Sequence, residues 1–369
     1  MDILICFDGT ANEPNRGERE ADGEPGDAGI TNVLKLHLCA GGVLTDEAPR
    51  RDAVKIPGQL SIYLAGVGTR GNVMLRRLRQ VFALSKPRRI REKALEKLSA
   101  VYEKGDRLFV FGFSRGAAIA RKFCAQIAAD GLRTRSGEHD PEPIVELLAA
   151  WDTVAALRAS PRLLSRNQEP DTEELLEDGP IAPNIRQAVH LVALDEKRLA
   201  FRPTLMESEA RVREIWFPGV HSDVGGGFRV AGLSDIALDF VLDVGRDLGL
   251  RFIDFDDKPE TFTGVDQNGD AVTLGREELT IRPDPAARLH QQERGALVSS
   301  ATLAPRRVMV LGDAVDDEQL PVVHHSVVQR MAALEDYRPA ALDGVPHRVL
   351  EADESLRRAA DGLDDHLPG

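Results

Sequence analysis

The run Leu108-Phe109-Val110-Phe111 leads into Gly112-Phe113-Ser114-Arg115-Gly116, and this stretch restricts the possible fold more than any other. Four apolar, strand-favouring residues meet a Gly-x-Ser-x-Gly turn, and a helical run, Ala118 to Ile127, follows. Strand, sharp turn and helix together make a nucleophile elbow. The serine sits at the tip of a strained turn, so Gly112 and Gly116 supply positions without a side chain. The helix aims backbone N–H groups and the positive end of its dipole at the place where an oxyanion would form. The competing reading is a plain strand-to-helix turn.

Short apolar runs elsewhere fit the same architecture. Strands are expected at Ile3–Phe7, Gln59–Ala65, 107–113, from Ile144 to Trp151, His190–Leu194, Glu214–Val220, Val308–Leu311 and Val322 onward. Helical spacing is seen at Thr31–Leu38, 70–104 and Leu233–Leu248, with Gly249 closing the last. Strands alternating with helices predict an α/β-hydrolase-like fold: a mostly parallel central sheet with helices on both faces. Sites in such sheets gather beyond the carboxyl ends of the strands. Asp8, Gly66, Ser114, Asp152, Asp195 and Asp223 each follow an expected strand. One domain over 1–343 is expected, with insertions or a lid at 158–186 and 251–285, the latter turning at Asn268-Gly269. Residues 11–29 read as an exposed flap, and 344–369 as a charged mobile tail or surface helix.

Charge narrows the function. The net charge of −13 argues against nucleic acid as a partner. Between Arg70 and Lys93 the sign reverses locally, with nine basic residues against the single acid Glu92. That run is either a solvated helix face or a place for an anionic substrate or a membrane surface to dock. Cys6, Cys39 and Cys124 form no disulfide framework. With no basic leader and no membrane-length apolar run, the chain reads as cytoplasmic, with signal-less export as the alternative. The oligomeric state is left open.

A serine hydroxyl needs a base, and the base needs an orienting carboxylate. Asp223 is the preferred acid, in a glycine-rich turn at a strand end, with Asp195 and Asp152 as competitors. His290 is the preferred base and His324 the alternative. His221 is expected to line the site. The amide of Arg115 and the Asp8-Gly9-Thr10 loop are the expected oxyanion donors. No cofactor is required for this chemistry. The alternatives are a metal-dependent phosphoesterase built on Asp8 and Asp223, and a non-catalytic module that binds a partner protein.

Longer motifs then tie the chain to a family. Cys6-Phe7-Asp8-Gly9-Thr10, Gly112-Phe113-Ser114-Arg115-Gly116-Ala117, Trp151-Asp152-Thr153-Val154, Leu194-Asp195-Glu196-Lys197-Arg198 and Trp216 through Gly227 occur in this order. With them, His324-His325-Ser326 and Tyr337-Arg338-Pro339 resemble the DUF2235 family. That family includes the catalytic module of type VI secretion phospholipase effectors of the Tle1 type. The resemblance implies an α/β-hydrolase domain cleaving carboxylic esters, small-molecule or lipid, through a Ser-Asp-His triad. By motif it carries the nucleophile to Ser114, the acid to Asp223 and, in a less closely matched segment, the base to His290.

Overall fold

The computed structural model describes residues 1–9, 28–45, 47–66, 86–154, 179–255, 261–265, 271–290, 303–311 and 319–366. Residues 11–27 of the expected flap, most of the basic run, residues 158–178 of the expected 158–186 insertion and the Asn268-Gly269 turn lie outside these residues.

Among the described residues nine strands form one sheet. In chain order they are β1 (Asp2–Phe7), β2 (Gln59–Leu64), β3 (Arg107–Phe113), β4 (Val145–Trp151), β5 (Ala188–Ala193), β6 (Val212–Phe217), β7 (Val322–His324), β8 (His347–Leu350) and β9 (Leu356–Ala359). Their spatial order is β9-β8-β7-β6-β5-β4-β3-β1-β2. Every pairing is parallel except β8 with β9.

Both faces of the sheet are covered at its centre, which explains why strands such as β1, β3 and β5 read as near-continuous apolar runs rather than alternating. Ile3, Ile5 and Phe7 of β1 point to one face, against Phe123 and Ile127 of helix α3 (Arg115–Asp130) and Leu98 of α2 (Lys86–Ser99). Leu4 and Cys6 point to the other, with Phe109, Phe111 and Trp151, against α1 (Asn32–Cys39) and α5 (Gly232–Asp247). Thr31 caps α1 through its hydroxyl, which accepts the Leu34 amide at 3.2 Å. A two-stranded hairpin, Thr261–Val265 with Ala271–Gly275, stands apart from the sheet. No described helix is long and apolar enough to cross a membrane.

Two expectations fail. Val308–Leu311 forms no strand: the Val308 amide bonds the Ala341 carbonyl, and only Leu311 makes an isolated bridge. The residues expected to form a mobile tail or surface helix instead finish the sheet. Strand β8 pairs parallel with β7, and β9 turns back against β8. Their charges read as a tail, yet Val349 and Ala359 are buried while Leu356, Arg357 and Arg358 face solvent along the sheet's edge.

Candidate active site

Strand β3 ends at Phe113 and α3 begins at Arg115, so Ser114 alone makes the turn between them. Its backbone is at φ 57°, ψ −124°, a strained conformation for a residue with a Cβ. The turn needs both flanking glycines. A Cβ on Gly116 would run into the carbonyls of Phe7 and Asp8, and one on Gly112 would lie 2.6 Å from the Ala117 Cα. The Ser114 hydroxyl makes no capping bond to the helix it opens. The Ser114 amide donates to the Trp151 carbonyl at 3.0 Å, and the Val154 amide donates to the Ser114 carbonyl at 3.3 Å. The elbow is thereby bolted to the residues on either side of Asp152.

Because the strands are parallel, Asp8, Ser114 and Asp152 follow three neighbouring strands directly, and Asp195 lies two residues beyond β5. The segment after β6 then folds back as the short helix α4 (His221–Gly225), whose Gly225 packs on the ring of Phe113. As a helical turn this segment sends His221 and Asp223 different ways, where a strand would have put them on one face, and each meets a different partner.

Asp223 faces His290. The His290 Nδ1 lies 2.6 Å from Asp223 Oδ1, and Oδ2 accepts the amides of Val220 at 3.0 Å and His290 at 3.2 Å. The His290 ring stacks on Phe228 with centroids 3.9 Å apart. Arg330 donates to the carbonyls of Pro285 and Ala287 at 2.7 and 2.6 Å, pinning the segment that carries His290.

His221 faces Asp152. Its Nδ1 lies 2.6 Å from Asp152 Oδ2. A carboxylate only accepts, so Nδ1 carries the proton and Nε2 is the basic nitrogen. The His221 ring sits between Phe113, at 4.6 Å, and the edge of Phe201, at 4.8 Å. Burial pulls the imidazole below its ordinary pKa, against the opposing pull of Asp152. Asp152 has φ 38° and also accepts the Ala193 amide at 2.9 Å. Burial alone would raise its carboxyl, but Arg306 and His221 outweigh that and hold it well below the usual carboxylate range.

The other expected residues are placed as follows. The Asp8 carboxylate accepts the hydroxyls of Thr31 at 2.8 Å and Tyr63 at 2.5 Å, and the Gly9 amide at 2.6 Å. That amide therefore points at its neighbour's side chain, and Thr10 lies outside the described residues. Asp195 accepts the Gly219 amide and the Tyr337 hydroxyl, each at 2.7 Å, so it fixes the turn before α4. His324 caps helix α6 (His325–Ala333) and stacks on Phe217 at 4.3 Å, and burial drives its imidazole down to about 3. Among the described residues no three His, Cys, Asp or Glu side chains gather in a way that could hold a metal. Asp8 and Asp223 each serve separate partners. Arg306 escaped the sequence reading: it follows no strand and belongs to none of the motifs quoted above. Tyr337 was visible only as part of a motif.

The fold and site thus define an α/β protein with a strained serine at a strand-to-helix elbow and buried imidazole–carboxylate pairs beside it. The family model described as "T6SS, Phospholipase effector Tle1-like, catalytic domain" matches residues 1–144 and 132–244. The chain belongs to that family. It is 30% identical over 164 residues to the uncharacterized protein YEL023C of Saccharomyces cerevisiae, a match covering 41% of this chain and 20% of the yeast protein. Among solved structures it is similar to an uncharacterized protein from Pseudomonas aeruginosa (19% identity, TM-score 0.44, 77% of this chain and 49% of that one). It is also similar to the Tle1 effector bound to the VgrG spike of the type 6 secretion system (23%, TM-score 0.39, 62% and 51%). The chain spans about half the length of these structures and a fifth of the yeast protein.

Proposed function

We propose that the chain is a serine hydrolase of carboxylic esters, with lipid esters as the substrate class. Ser114 Oγ attacks the acyl carbon, and the imidazole takes the hydroxyl proton. The carbonyl becomes an oxyanion at the amide of Arg115. The C–O bond to the leaving alcohol then breaks as the imidazole returns the proton to it. Water, deprotonated by the same imidazole, releases the acid from Ser114. The observation that carries this reading is the strained Ser114 backbone at the head of α3, with its hydroxyl left uncommitted to the helix.

Two imidazoles compete for the base. We assign it to His221, oriented by Asp152, because the Ser114 backbone is bonded to Trp151 and Val154, the residues that bracket Asp152. His221 also rests on Phe113, next to the nucleophile. The second reading takes the pair expected from sequence, His290 on Asp223. It is favoured by the 2.6 Å contact between them and by the chain order Ser, Asp, His.

A fluorophosphonate probe tests the proposal. The folded protein is expected to label, and Ser114→Ala to lose the label. A folded wild type that stays unlabelled and turns over no ester would leave a partner-binding module as the better account. Turnover by Ser114→Ala that a chelator abolishes and a divalent ion restores would favour the metal-dependent alternative.

A further inference from the structure

Arg306 lies beyond the residues that match the family model, and its side chain is only 6% exposed. Its guanidinium spreads over the acid of one imidazole pair. Nη1 donates to Asp152 Oδ1 at 2.6 Å and to the Ala193 carbonyl at 2.7 Å. Nη2 donates to Asp152 Oδ2 at 3.0 Å and to the carbonyl of Phe201. The segment that carries it is fastened on both sides. Leu303 bridges to Arg198, the Ala304 amide donates to the Lys197 carbonyl at 2.7 Å, and the Val308 amide donates to the Ala341 carbonyl at 3.2 Å.

We infer that Arg306 is a positioning residue for catalysis: it locks the Asp152 carboxylate in the orientation that serves His221 and moderates that carboxylate's pull on the imidazole proton. The inference rests on the proposed pairing of His221 with Asp152.

The planar fork of a guanidinium matches a carboxylate in two places and stops it rotating. With both oxygens of Asp152 gripped, Oδ2 stays aimed at His221 Nδ1. The same guanidinium bonds the backbone of Phe201, whose ring edge packs on His221. One side chain thus fixes the imidazole's partner and one of its walls.

The charges facing His221 are balanced. Asp152 lies at the end of β4, and Glu196 accepts the His221 amide at 3.2 Å. Arg198 bonds Glu196 at 2.7 Å and stacks over Phe201 at 3.6 Å, while Arg306 bonds Asp152. Phe113 contributes only its ring. Each acid near the imidazole is therefore also bonded to an arginine. Taking away the Arg306 charge leaves Asp152 free to stabilise the imidazolium, so the base should protonate at higher pH.

The test is the pH profile of kcat/KM on a 4-nitrophenyl ester for wild type, Arg306→Gln, Arg306→Lys and His221→Ala. Arg306→Gln should move the acid limb up by about one pH unit, and kcat should fall more than KM changes. Arg306→Lys keeps a charge but reaches one oxygen at a time, so about half that shift is expected. An acid limb that stays put in both variants, with His221→Ala inactive, overturns the role of Arg306. His221→Ala retaining more than about a tenth of wild-type activity instead overturns the base assignment beneath it. If thermal melting shows that Arg306→Gln does not fold, Arg306→Lys decides alone: a raised limb supports the inference and an unchanged limb removes it.

Discussion

The two imidazole–carboxylate pairs share a 2.6 Å contact but are built into the molecule in different ways. Asp152 caps a central strand, is braced against the elbow by backbone bonds, and is gripped by a buried arginine. Asp223 sits in the five-residue helix α4, and its histidine arrives on an irregular segment held by Phe228 and Arg330. In the first pair the acid is fixed by the sheet, and His221 reaches it from the start of α4. In the second pair the acid lies on that same helix, and the histidine is held by the Phe228 ring and by Arg330 on its segment. Rigid strand ends give the positional accuracy that proton transfer needs, whereas loop segments give adjustable contacts.

The sharpest way to break the comparison is to remove each imidazole in turn. His221→Ala should lower kcat/KM by about 10²–10⁴, the usual worth of a general base. His290→Ala should cost about tenfold or less if its role is to shape the site. Steady-state kinetics on a 4-nitrophenyl ester, with melting curves to confirm folding, reads both, and the opposite ranking moves the base to His290.

The carboxylates give the next effect. Asn at position 152 no longer compels the Nδ1–H tautomer of His221, so Asp152→Asn should lose about a hundredfold or more in kcat with KM nearly unchanged. Asp223→Asn should cost less activity and more stability, because its carboxylate also binds two backbone amides. Equal losses of kcat in both variants would mean that both pairs serve the nucleophile.

Acidity separates them more gently. The His221 imidazole is depressed by burial, so it stays neutral below the ordinary histidine value of about 6.5. Activity should persist below that pH and fall only as the pH drops through the lower, folded value. Stability has the same sign: the unfolded chain takes the proton first, so stability is lost as pH falls below about 6.5. An acid limb of kcat/KM above pH 7 would contradict a buried neutral base.

The smallest effect concerns the stack that holds the second pair. Phe228→Leu removes an aromatic contact worth about 0.5–1.5 kcal/mol, so the melting temperature should drop by a few degrees. Activity should change little. A large fall in kcat from this substitution would tie His290 to the chemistry.

Much of this was legible along the chain. The elbow needed only residues that are neighbours in sequence, so Gly112, Ser114 and Gly116 marked it. The strand ends that meet at the site could be read for the same reason, since each apolar run is bounded locally. The pairing of Asp223 with His290 could be guessed because an acid and a base were sought in a known chain order. The pairing of Asp152 with His221 spans 69 residues and two strands, β5 and β6, and no local pattern announces it. Arg306 left no signal at all. It lies on a segment without regular structure, and its four acceptors come from Asp152, Ala193 and Phe201.

The sequence by itself determined the parallel sheet and the serine at its elbow, because apolar periodicity and the turn's demand for glycine act over a few residues. Which carboxylate meets which imidazole was decided only in three dimensions. That choice depends on α4 folding back over Phe113 and on a late segment crossing the ends of β4 and β5. The last residues show the same division: their charges fit a tail, yet an open sheet edge beside β7 supplied the backbone partners that make them strands.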